Sequence, residues 1–135
     1  MNNDYWSNDY TLDLNPIIWD GSREQLQNSS ILLKQKQYAI SVLILQWKCY
    51  HTEIIEALKF NKQSHLHGYV LNKVTMIDVD LHKVNLLILS LCDMIDCCSN
   101  LPPIFNQLVN LRRKCCVFKG TVYPEISEFM KSILP

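Results

Sequence analysis

From Val70 to Cys98 the chain places an apolar residue at alternating steps of four and three: Val70, Val74, Ile77, Leu81, Val84, Ile88, Leu91, Ile95 and Cys98. That alternation follows one side of an α-helix, and it requires a helix that packs lengthwise against other helices. Leu71, Met76, Leu86, Leu87, Leu89 and Met94 fall off the seam within the same stretch. A helix that is apolar on more than one side must be enclosed by several partners, so this segment reads as the central rod of a helical assembly. Asp78, Asp80, Lys83, Asp93 and Asp96 mark its more polar side, a narrow stripe that leaves little surface for solvent.

The flanking sequence supplies two further helices. Gly21 breaks the chain, and Ser22 followed by Gln25 has the spacing of a capping box. Beyond it Leu33, Ile40, Trp47 and Ile54 fall at heptad spacing, with Leu43, Tyr50 and Ala57 three residues after the last three of them. A helix over 22–61 would span about 60 Å at about 1.5 Å per residue. Asn28, Ser29 and Ser30 have weak helix propensity and allow a separate short helix at its start. The stretch from Asn61 to Gly68 reads as a turn, and the central helix then runs over 68–99. Leu101-Pro102-Pro103 ends it, because proline disfavours a helical residue before it and lacks an amide donor. The last helix, over 103–134, carries Ile104, Leu108, Leu111, Cys115, Phe118 and Val122, then Ile126, Phe129, Met130 and Ile133. Gly120 and Pro124 predict a kink or break near 120–124.

The expected fold is all-α: an elongated antiparallel helical bundle or coiled coil of three long helices. An extended, acidic and aromatic lead-in over 1–21 precedes it; Tyr5, Trp6, Tyr10, Trp19 and the Ile17-Ile18 pair fit either a strap docked on the chain's own helices or on a partner, or a loose end with incidental aromatics. The residues expected to carry packing and interfaces are Leu33, Ile40, Trp47 and Ile54 on the first helix. On the central helix they are Val74, Ile77, Leu81, Val84, Ile88, Leu91 and Ile95, and on the last Leu108, Leu111, Phe118 and Phe129. Truncating Leu81 or Ile88 to Ala is expected to cost about 2–5 kcal/mol if the seam is buried.

Composition constrains the class of object. With 135 residues, 48% of them apolar and 19% charged, the chain is poorly suited to a long solvated rod and well suited to a subunit held among other helical subunits. Formal charge is zero, but the first twenty residues hold Asp4, Asp9, Asp13 and Asp20 with no Lys or Arg. Arg112, Arg113, Lys114 and Lys119 form a basic cluster that reads as a solvated helix face, too weak for a nucleic-acid surface. The polar start lacks a secretory signal, which predicts an intracellular protein. The apolar runs Ile40–Leu45 and Val84–Cys92 are far short of the roughly 20 residues needed to cross a bilayer.

No pattern of residues asks for chemistry. Cys97-Cys98 and Cys115-Cys116 are adjacent pairs, which point apart on a helix and lack the spacing that lets two thiolates converge on zinc; small core residues with one member of each pair exposed are expected. His65-x-His67 has no carboxylate or thiol close in sequence to complete a metal shell. Cys49 with His51, or Cys92 with His82, sits in a strongly apolar run rather than a polarising one. Three scattered glycines make no phosphate loop. The expectation is a non-enzyme with no cofactor, no metal and no membrane or nucleic-acid partner.

The stretch from about His82 to Leu134 combines a Leu/Ile-rich helix (Leu86, Leu87, Leu91, Ile95), a Leu101-Pro102 break, a helix with Leu108 and Leu111, and a closing Ile126-x-x-Phe129 turn. In this it resembles a small helical subunit of augmin, the multisubunit complex that promotes microtubule-dependent microtubule nucleation in the spindle. The resemblance covers under half of the chain. It implies a non-catalytic subunit of a coiled-coil complex, cytoplasmic in interphase and on spindle microtubules in mitosis, that assists recruitment of the γ-tubulin ring complex. Without a strongly basic tail, the implied role is bridging or stabilising, with microtubule association through other subunits. A helical subunit of a trafficking or kinetochore assembly, and a compact α-helical regulator that binds a partner helix in a groove, are the alternative readings.

Overall fold

A computed structural model describes residues 12–60 and 66–135, and among these the backbone is helical with no strand. The described residues hold five α-helices: α1 (Arg23–Gln27), α2 (Ser30–Lys59), α3 (Leu66–Asp96), α4 (Pro102–Val117) and α5 (Tyr123–Ile133). A π-helical turn, Phe118–Val122, joins α4 to α5. Tyr5, Trp6, Tyr10 and the 61–65 part of the expected first turn lie outside the described residues.

Side-chain bonds between helices set the register. Tyr69 donates to Glu53 (2.6 Å) and Trp47 to Asp80 (2.8 Å), so α3 runs back along α2. Tyr123 donates to Asp78 (2.8 Å), while the Arg112 guanidinium lies 4.0 Å from the Cys92 sulfur, so α4 and α5 run back along α3. Gln107 donates to Ser30 and Lys114 to Ser41, and the His51 ring meets Phe129 edge-on at 4.6 Å, which places α4–α5 parallel to α2. The core lies between these three runs. Trp47, Phe118, Leu33, Ile40, Ile77, Leu87 and Leu91 are sealed from solvent within it.

Three local features refine the sequence expectation. The first helix is divided at Asn28–Ser29 into the separate short helix that the weak propensity there allowed, and Ser29 turns its hydroxyl back to the Gln25 carbonyl (2.6 Å) instead of capping α2. The central helix, expected over 68–99, spans Leu66–Asp96, so Gly68 lies within its first turn and Cys98, the last residue of the seam, lies beyond its end. At 120–124 the chain does not break. Pro124 cannot donate to the carbonyl four residues back, and the ladder widens so that the Tyr123 amide bonds the Phe118 carbonyl, five residues back. The helix continues through the proline as a π turn.

The lead-in is anchored from Leu12 onward. Leu14 and Ile17 are buried, the Ile17 amide donates to Ser90 on α3 (3.2 Å), and the buried Lys36 ammonium bonds the Asp13 carbonyl (3.1 Å) and carboxylate (3.2 Å). Ser22 caps α1 by accepting from the Gln25 amide (3.1 Å). The reciprocal half of the box is displaced: Gln25 accepts from the Asp20 amide (2.8 Å) and donates to the Ile18 carbonyl (2.7 Å), so one side chain stitches the strap to the helix. Gly21, at φ 83°, makes the bend between them.

Candidate interaction surface

The heptad residues face inward. Leu33, Ile40, Trp47, Ile54, Val74, Ile77, Val84, Leu91, Ile95, Leu108, Leu111 and Phe118 are buried, and Leu81, Ile88 and Phe129 are half-buried against the same core. They pack on one another within the chain, and of them only Leu81, Ile88 and Phe129 keep part of their surface open. The fully enclosed Leu87 and Leu91 are therefore the positions where truncation costs most.

Both α2 and α3 carry a second apolar set on their outer sides. On α2, Ile31, Tyr38 and Leu45 recur every seven residues and are 71%, 62% and 62% exposed. This register begins two residues before the buried Leu33 register, and its spacing was visible in the sequence. On α3, Leu71, Val79, Leu86 and Leu89 are exposed. Single exposed apolar residues are ordinary on a protein surface; here they recur along one side of each helix.

A groove of about 930 Å³ runs along the start of the outer α2 face, walled by Leu12, Asp13 and Asn15 of the strap, by Ile31, Lys34 and Tyr38, and by Lys83 from α3. A second groove, about 580 Å³, lies at the opposite end, between Leu58, Leu66, Val70 and Ile133. The first has a sign. From Ser30 to Thr52, α2 holds Lys34, Lys36 and Lys48 and no Asp or Glu. Lys36 is neutralised by Asp13: partial burial pushes that carboxyl up, but the Asn15 amide and the Lys36 ammonium outweigh it and hold it below its ordinary range. Among the described residues Lys34, Lys48 and Lys83 have no ion-pair partner within 4 Å.

Two polar groups are turned into the helical interfaces. Asp80 leaves the polar stripe of α3 to accept the Trp47 indole N–H, and burial pushes its carboxyl above the usual range against the effects of that bond and of Lys83. The sequence signal for it was weak, since only its position two residues from Asp78, about 200° round the helix, sets it apart. Lys73 is buried with its ammonium 3.8 Å above the Tyr50 ring and 5.1 Å from that of Tyr69, a cation–π pairing that holds α3 against α2. Burial and the Glu53 carboxylate raise the Tyr69 phenol.

Cys98 and Cys115 are buried while Cys97 and Cys116 are exposed, one member of each pair in the core and one in solvent. Burial lifts the Cys115 thiol to about 12. Among the described residues no three His, Cys, Asp or Glu side chains gather as a metal site would need, and no helix is long and apolar enough to cross a membrane. Of the basic cluster, Arg113 and Lys119 are exposed, whereas Arg112 and Lys114 are half-buried against α3 and α2. No protein-family model, curated protein or solved structure matches the chain.

Proposed function

We propose that this chain is a non-catalytic helical subunit of a multiprotein coiled-coil assembly of the augmin kind, supporting microtubule-dependent microtubule nucleation and spindle assembly through its partner subunits. The observation that carries the subunit reading is the repeated outer apolar face: Ile31, Tyr38 and Leu45 on α2, and Leu71, Val79 and Leu89 on α3, are exposed although the inner seams are already filled. In this reading the inner seams interlock as knobs into holes within the chain, and the outer faces serve as seams for neighbouring helices. The augmin assignment is supported by the resemblance of residues 82–134, and it places the protein in the cytoplasm and on the spindle.

Purification of the native protein under mild conditions, with mass spectrometry of what accompanies it, tests this. The expected result is a stoichiometric set of helical subunits including those of augmin, lost together on disruption of the complex. A native protein that elutes by light scattering as a monodisperse monomer without partners contradicts it. That outcome would favour the compact regulator, a reading supported by the self-contained core in which Trp47 and Phe118 are fully enclosed. A partner set from a trafficking or kinetochore assembly would keep the subunit role and replace augmin.

A further inference from the structure

We infer that the outer face of α2 is the seat of one particular kind of partner: an acidic amphipathic helix from another subunit, laid lengthwise from Ile31 to Cys49. The inference rests on the subunit reading and specifies its chemistry. Ile31, Tyr38 and Leu45 occupy one heptad position, and Gln35, Val42 and Cys49, four residues after each, carry no charge. Steps of four and three therefore define an uncharged seam along about 27 Å of helix, at about 1.5 Å per residue. Its start is already recessed by the strap and by Lys83, which forms the groove.

Charge selects the occupant. Lys34 and Lys48 flank the seam on one side and Lys83 stands across the groove on the other, all exposed and without an ion-pair partner among the described residues. A helix with apolar residues at four-three steps and Asp or Glu beside them would meet lysines on both flanks, whereas a basic helix would be repelled along its length. Lys83 is shared in part with Asp80 on its own helix, so the Lys34–Lys48 flank makes the larger demand for negative charge. The chain's own residues 1–11 are acidic, with Asp4 and Asp9, but they lack the four-three apolar spacing that this face matches.

Photo-crosslinking tests it on the assembled protein. Benzoylphenylalanine is placed at Tyr38 or at Leu45 in the full chain, the native complex is irradiated, and the crosslinked peptides are sequenced by mass spectrometry. Both positions are expected to mark one partner segment in which acidic residues flank apolar ones at four-three steps. Lys34→Glu with Lys48→Glu should cut that yield at least tenfold with an unchanged thermal melt, while Lys59→Glu with Lys131→Glu leaves it intact. Crosslinks to residues 1–11, to a second copy, to a segment without acidic flanks, or to nothing overturn the inference, as does a yield indifferent to the Lys34/Lys48 reversal. A complex that co-purifies while its crosslinks map elsewhere removes this inference alone; a native protein without partners removes the subunit reading beneath it.

Discussion

Asp80 shows how one residue couples the fold to pH. Its carboxyl is raised by burial, so the folded chain takes up a proton there more readily than the unfolded chain does. The stability this contributes is present in full below the ordinary carboxylate range and is lost as pH rises through the raised value. Asp80→Asn keeps an acceptor for the Trp47 indole and removes the charge. Thermal melts from pH 4 to pH 7 are therefore expected to show the variant gaining on the parent as pH rises, with Asp13 and every other carboxyl common to both. A constant difference would place the carboxylate in water. The thiols separate just as sharply: in the isolated folded chain Cys49, Cys97 and Cys116 should be alkylated, and Cys98 and Cys115 only after unfolding. Mass spectrometry after a brief iodoacetamide pulse reads this directly. The arrangement of Cys115-Cys116 was legible in the sequence because neighbours on a helix diverge, whereas the inward turn of Asp80 depends on a tryptophan thirty-three residues away that no local pattern encodes.

Within a single helix, burial alternates sharply enough to be measured. Leu91 and Leu89 are two residues apart on α3, one sealed and the other 63% exposed. Leu91→Ala is expected to cost about 2–5 kcal/mol in denaturant unfolding, and Leu89→Ala to stay within about 0.5 kcal/mol of the parent. Equal costs would mean that α3 is rotated about its axis. The π turn offers a second test. A Cβ added at Gly120 would meet nothing within 4 Å, and the glycine has no positive φ, so Gly120→Ala should stabilise by about 0.5–1 kcal/mol, read as a raised melting temperature. Destabilisation would show that the widened turn needs the glycine. The helical segments and their inner registers were readable because four-three spacing is a local signal. That the helix is irregular near 120–124 was readable as well, but its form was not: Gly120 and Pro124 signal a kink or a break alike, and the packing of Phe118, Val122 and Ile126 on one core carries the chain through as a π turn.

At the scale of the molecule, the seams that promise a coiled coil in the sequence are buried inside the chain, and the proposed subunit role rests on the outer faces of α2 and α3 that stay exposed. The inner role of the Leu33 register was legible, since it stays apolar through Ile54 while the Ile31 register ends at Thr52; that the Ile31 register is left open was not, because it has the same seven-residue period and only the positions of α3 and α4–α5 leave it exposed. Hydroxyl-radical footprinting of side chains, performed on the isolated chain and on the native complex, tests this division most directly. Leu33, Ile40, Val84 and Leu91 should be protected in both, while Ile31, Tyr38, Leu45, Leu71 and Leu89 react in the isolated chain and become protected in the complex. Inner-seam residues that react in the isolated chain, or outer residues equally reactive in both, would contradict the account.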